Sequence, residues 1–166
     1  MEKLSVIRSK ICSREEIVRQ RSVWRFLGKK VVFTNGCFDL LHLGHIEYLS
    51  RAADLGNALI IGLNADASVT RLKGPGRPLI PQEARATLLA SLGFVSAVVL
   101  FEEDTPYDLI RLIHPDVLVK GADYSPEEIV GQDIVQADGG QVVTIELTEG
   151  FSTTSLIEKI RHTLPQ

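Results

Sequence analysis

Five short apolar runs, rich in β-branched residues, recur along this chain, and each is followed by a stretch of helical periodicity. That alternation restricts the fold more than any other feature. Residues 31–34, 58–63, 95–101, 117–120 and 141–145 read as strands. Helical patterns cover 45–55, 81–92, 105–113, 132–137 and 153–162, with Gly56 and Gly93 standing where two of them stop. Strands that are apolar on both faces and separated by helices form a parallel sheet covered on both sides. The expected fold is therefore α/β, a Rossmann-like doubly wound parallel sheet. Ahead of it, Ser13-Arg14-Glu15-Glu16 has the spacing of a capping box. It opens a helix whose apolar face is expected at Ile17, Val18, Val23, Phe26 and Leu27, ended by Gly28. Residues 1–28 are expected as an N-terminal helical extension and 29–166 as the main domain.

In an open parallel sheet, ligands bind beyond the carboxyl ends of the strands, where the winding order reverses. The segments that bear on function are thus 35–44, 64–81, 102–105, 121–131 and 146–152. Composition narrows what they can do. A net charge of −3 argues against broad capture of nucleic acid or of an anionic membrane, while leaving room for local cationic loops that hold a small anion. No run approaches the ~20 apolar residues of a membrane span. Cys12 and Cys37 match neither a disulfide framework nor a metal-ligand cluster, so a reduced, cytoplasmic setting is expected.

The first chemical motif runs from Thr34 to His45 as T-N-G-C-F-D-L-L-H-L-G-H. His42 and His45, three residues apart, fall on one side of a helical turn. At a helix N-terminus they join free backbone N–H groups and the positive end of the helix dipole. Gly36 and Gly44 are expected to clear space for a phosphate. Asp39 either caps the helix or contacts the acceptor or a metal. The second motif, Glu149-Gly150-Phe151-Ser152-Thr153-Thr154-Ser155, opens the last helix with four hydroxyl residues, a cap plus donors for an anion. Between them, 71–78 reads as a basic loop rich in Gly and Pro, in which Lys73 is placed to touch phosphate and Arg77 is a second candidate. Arg85, early in the following helix, is a weaker candidate still, either a phosphate contact or simply a surface residue. Cys37 has no base beside it and reads as a small buried side chain.

Gly36-Cys37-Phe38-Asp39 followed by His42-x-Gly44-His45 resembles the signature of the nucleotidyltransferase superfamily, and Ser152-Thr153-Thr154 resembles its second signature. The resemblance spans roughly residues 31–160. It implies that His42 and His45 stabilise charge on the nucleotide's phosphates while a substrate phosphate attacks the α-phosphorus, with Lys73 assisting. It further implies that Asn35, Gly36, Cys37, Phe38, Gly44, Lys120, Gly121 and Asp123 surround the nucleotide. Ser152, Thr153 and Thr154 would hold its outer phosphates, with Asp39 and Arg77 on the substrate side.

Within the superfamily the likeness narrows to the adenylyltransferases that make ADP-heptose. Asn64-Ala65-Asp66-Ala67-Ser68, Arg71-Leu72-Lys73-Gly74 and Phe101-Glu102-Glu103-Asp104-Thr105-Pro106 carry it. Glycerol-3-phosphate cytidylyltransferases, the alternative, carry an Arg where Leu147 stands here. Ala122 departs from the heptose pattern, in which a second Gly is usual. The resemblance implies ATP and D-glycero-D-manno-heptose 1-phosphate as substrates, Mg²⁺ entering with ATP, and a homodimer. A non-catalytic ATP sensor is the reading from another class, but a sensor has no use for paired histidines at the α-phosphate.

Overall fold

The computed structural model describes residues 2–122, 129–148 and 150–163. Six parallel strands form one sheet: β1 (Ile11–Cys12), β2 (Val31–Gly36), β3 (Ala58–Asn64), β4 (Val95–Phe101), β5 (Val117–Gly121) and β6 (Gln141–Ile145). Their order is β1-β4-β3-β2-β5-β6. From β2 the chain winds outward through β3 to β4, then returns to lay β5 on the other side of β2. The winding therefore reverses between β2 and β5.

The helices are α1 (Lys3–Arg8), α2 (Arg14–Phe26), α3 (Leu43–Ala53), α4 (Asp66–Lys73), α5 (Gln82–Ser91), α6 (Tyr107–Ile113), α7 (Gln132–Ala137) and α8 (Thr153–Thr163). Strand alternation assigns them to two faces. Val32, Leu59, Ile61, Val98 and Val119 meet α3 and α5. Val31, Phe33, Ile60, Val99 and Leu118 meet α2, α6 and α7. Each fully buried side chain of this kind contributes roughly 1.5–3 kcal/mol through removal of apolar surface from water. The two-residue step in register opposite Leu59 and Ile60 leaves Ser96 unpaired in the ladder, and its hydroxyl accepts the Leu59 N–H at 3.2 Å. Among the described residues no helix is long and apolar enough to cross a membrane.

The elements differ from the sequence reading at α2, β1 and α4, and α1 is a further helix that the reading does not contain. The capping box at Ser13 and Glu16 forms, but α2 turns Ile17, Arg21 and Trp24 inward and leaves Val23, Phe26 and Leu27 outside, Phe26 being 90% exposed. Arg21 fits the inward stripe because its guanidinium reaches the His114 carbonyl at 3.0 Å and Asp116 at 3.1 Å. Ahead of α2, β1 extends the sheet by pairing with β4, a strand too short to leave a periodic signal. Finally, the segment read as a loop through 71–78 begins as helix. Residues 66–73 form α4, whose first N–H is capped by the Gln82 side chain, and the basic loop starts only at Gly74.

Candidate active site

Beyond the carboxyl ends of β2, β3 and β5 lies an open cleft of about 620 Å³. His42, His45, Lys73, Asp39, Arg77, Gly44 and residues 35–38 line it, together with Lys120, Gly121, Ser152, Thr153 and Thr154. Asp123 lies outside the described residues.

One wall grows directly out of the sheet. After Gly36 the chain turns through Phe38, which is held in the left-handed region at φ 45° although it is not glycine. His42 is the N-cap residue of α3, so Asp39 does not cap that helix. His42 and His45 stack with ring centroids 3.8 Å apart and planes 21° from parallel. Phe38 meets His45 edge-on at 5.2 Å, and Phe151 lies along the outer side of His42 at 6.5 Å. Burial pushes His45 down to about 4, the His42 ring adds to that, and the Leu40 carbonyl opposes it. Burial also lowers His42. A neutral pair can stack where two imidazolium cations would repel. Neither Nδ1 has a hydrogen-bond partner of normal geometry among the described residues.

The two glycines act differently from the expectation that they clear room for phosphate. A Cβ on Gly36 would lie 2.9 Å from the Phe38 ring. One on Gly44 would lie 3.1 Å from the Phe151 Cβ and 3.2 Å from His42 Nδ1. At both positions the space is taken by the protein's own rings. Gly44 is what lets the approach to α8 close onto the histidine pair.

The opposite wall is the start of α8. Ser152 Oγ accepts the Ser155 N–H at 3.0 Å, and Ser155 Oγ accepts the Ser152 N–H at 3.2 Å, a reciprocal cap. The hydroxyls of Thr153 and Thr154 remain without partners among the described residues, beside helix N–H groups suited to an anion. The segment is tied back to α3 by Thr148, which donates to Glu47. Between the walls, at the reversal of winding, Lys120 donates to Asn35 and joins the end of β5 to that of β2. Leu147 lines the cleft as an exposed neutral side chain.

The third side carries the cations. Lys73 ends α4, and Gly74 at φ 91° turns the chain into the strap 74–80. Asp39 is buried and accepts from Arg77 Nε at 2.6 Å and from the Leu79 and Ile80 N–H groups at 2.7 and 3.0 Å. Arg85, read as a phosphate contact or a surface residue, is fully buried. It donates to the carbonyls of Cys37, Asn64 and Ile80 and to the Asp66 carboxylate. A buried cation survives only with such partners, and breaking a buried pair costs about 3–5 kcal/mol. Arg85 lies on the buried face of α5 with Ala86, Leu89 and Ala90, where its charge is tolerated only because of these distant partners. Cys37 is half-buried rather than fully enclosed. Burial raises its thiol despite nearby Lys73, Arg85 and Arg77, so it stays protonated. Among the described residues, no three His, Cys, Asp or Glu side chains group to hold a metal.

The arrangement gathers two helix N-termini, a neutral imidazole pair and Lys73, which has no partner among the described residues, at one cleft, a chemistry suited to a polyanion. The chain is 55% identical over 152 residues to the bifunctional protein HldE of Syntrophotalea carbinolica, covering 92% of this chain and 31% of that protein. The HldE of Caulobacter vibrioides is 56% identical over 151 residues, covering 91% of this chain and 31% of the relative. The chain thus spans about a third of the length of these curated relatives. The crystal structure of the lipopolysaccharide core biosynthesis protein from Thermoplasma volcanium matches with a TM-score of 0.60 and 28% identity, over 73% of this chain and 98% of that one. Residues 33–159, which include both histidines and the serine–threonine helix start, match the family model described as cytidylyltransferase-like, and the chain belongs to that family.

Proposed function

We propose that the chain transfers AMP from ATP to D-glycero-D-manno-heptose 1-phosphate, releasing pyrophosphate and forming ADP-heptose, a precursor of the lipopolysaccharide core. The observation that carries the reading is the convergence of the α3 and α8 N-termini on one cleft, with the stacked histidines on one side. The heptose-specific part draws on the resemblance carried by residues 64–68, 71–74 and 101–106, and is supported by the likeness to the bifunctional HldE proteins and to the lipopolysaccharide core biosynthesis protein.

In this reading a phosphate oxygen of the sugar 1-phosphate attacks the α-phosphorus of ATP, and the bond to the β-phosphate oxygen breaks. No protein group needs to form a covalent bond, so the chain works by placement and by offsetting charge. His42 and His45 give N–H groups to the α-phosphate as its charge redistributes. The α8 start, with Thr153 and Thr154, holds the β- and γ-phosphates that leave together. Lys73 follows the departing pyrophosphate as a mobile point charge. Mg²⁺ brought with ATP would offset charge on its phosphates, with phosphate oxygens and water supplying most of its ligands. Leu147 offers no cation where a glycerol-3-phosphate cytidylyltransferase would place an Arg, which favours the adenylyl reading.

Pyrophosphate release with Mg²⁺, crossing ATP and CTP with heptose 1-phosphate and glycerol 3-phosphate, tests this directly. Release with ATP and the heptose phosphate alone is expected. Turnover of CTP with glycerol 3-phosphate overturns the substrate assignment. ATP binding without turnover of any pair leaves a sensor.

A further inference from the structure

We infer that Asp39 and Arg85 are positioning residues that clamp the strap 74–80 over the cleft and aim Arg77 at the phosphate of the acceptor. The inference rests on the reading of the chain as a sugar-phosphate adenylyltransferase. Its geometric core is the Ile80 residue, whose N–H donates to Asp39 at 3.0 Å and whose carbonyl accepts from Arg85 Nε at 2.9 Å. The other nitrogens of Arg85 grip the Cys37 and Asn64 carbonyls, at 2.6 and 2.9 Å. The strap is thereby fixed to the ends of β2 and β3, next to the turn that carries the histidine pair.

Asp39 borders the cleft but its carboxylate is spent on the strap, and Arg85 does not line the cleft. Asp39 is 2% exposed with three hydrogen bonds on its carboxylate, and Arg85 is 0% exposed. Arg77 is different. Its Nε is spent on Asp39 at 2.6 Å and its carbonyl accepts from Thr70 at 2.7 Å, so backbone and side chain are both held. Its two terminal nitrogens have no partner among the described residues, and the residue lines the cleft. A guanidinium anchored through Nε presents the remaining donors as a fixed fork, which matches two oxygens of a phosphate. Lysine would keep the charge and lose both the anchor and the fork.

The full chain and its D39N, R77K and D39N/R77K variants provide the test, read by acceptor KM, kcat, ATP Kd from calorimetric titration, and trypsin cleavage after Lys73. Each single substitution is expected to raise acceptor KM about tenfold, as for loss of a charge-assisted hydrogen bond, with ATP Kd within about twofold of wild type. The double variant should be no worse than about twofold beyond the poorer single, because one broken latch already frees the fork. Cleavage after Lys73 should speed up about fivefold in D39N as the strap opens. Equal losses of ATP and acceptor binding, multiplying effects in the double variant, or unchanged cleavage would each overturn the clamp. If D39N does not fold, R85K, which retains the charge but not the three-carbonyl grip, is expected to give the same pattern. A wild-type chain that turns over no sugar 1-phosphate defeats the functional reading instead. The clamp is then judged by the protease and by the affinity for inorganic phosphate in the presence of ATP, which should fall in R77K and D39N alike.

Discussion

The two helix starts that face the cleft are built in opposite ways. The α3 start is part of the core: Gly44, Tyr48, Leu49 and Ala52 are buried, and Tyr48 shares a hydrogen bond with Thr34 of β2 at 2.8 Å. The α8 start belongs to a helix with no buried residue, seated by the Ser152–Ser155 cap, the Thr148–Glu47 contact and the lie of Phe151 against His42. One wall of the cleft, the proposed triphosphate site, is thus rigid with the sheet, and the other is attached through a few local contacts. Substitutions in the first are expected to strike the chemical step, and those in the second to strike binding while leaving the fold alone.

Removing a histidine breaks this contrast most severely. His42→Ala or His45→Ala should lower kcat by about a hundredfold or more, as for loss of a donor to developing charge, with the circular dichroism spectrum unchanged. An unchanged rate would remove that residue from the catalytic role. Gly44→Ala tests the join between the two walls. Its new Cβ would press on Phe151 and His42, and a displacement of the order of an ångström should cost kcat roughly thirtyfold with little change in Tm. Thr154→Val acts on the attached wall only and is expected to raise the KM for ATP about tenfold at nearly constant kcat. Ser152→Ala removes a cap worth about 1 kcal/mol, yet Tm should not move, because α8 buries nothing in the core. A fall in Tm would show that α8 is more deeply integrated than its exposure indicates.

A smaller effect sharpens the same contrast through pH. His45 in the folded chain titrates at about 4, below its ordinary 6.5, because burial and the His42 ring disfavour its charge. Between those two values the unfolded chain binds more protons, so stability rises with pH across the window and is lost as pH falls from 6.5 towards 4. Thermal melts should show Tm dropping by on the order of a few degrees over that range, and less in His45→Gln. No comparable slope is expected from the α8 wall, whose facing groups are hydroxyls.

Much of the framework was legible in the sequence because it rests on local period. Strands 95–101 and 141–145 and helix 132–137 have the bounds expected from their patterns. The histidine pair was equally legible, since two imidazoles three residues apart at a strand-to-helix turn constrain each other without help from the rest of the chain. The reading failed where a side chain's environment comes from elsewhere. Helix α4 was hidden because its β-branched and hydroxyl residues favour helix weakly, and its start is capped by Gln82, 16 residues away. Arg85 was misplaced because charge is normally a surface signal, and only its partners 5 to 48 residues distant reverse that. The outward placement of Val23, Phe26 and Leu27 on α2 has the same origin: its inward stripe was set by which sheet face it covers.

The sequence by itself determined that this chain is a doubly wound parallel sheet and that its motif-bearing loops lie at one edge. Alternating strand and helix periods permit few other packings, and parallel strands bring all their following loops to one end. Tertiary structure alone decided the order of the strands, the pairing of the two helix starts, and the parts played by Asp39 and Arg85. Those depend on burial and hydrogen bonding between segments far apart in the chain. A buried carboxylate or guanidinium is stable only where the fold supplies its partners, and no local pattern records that.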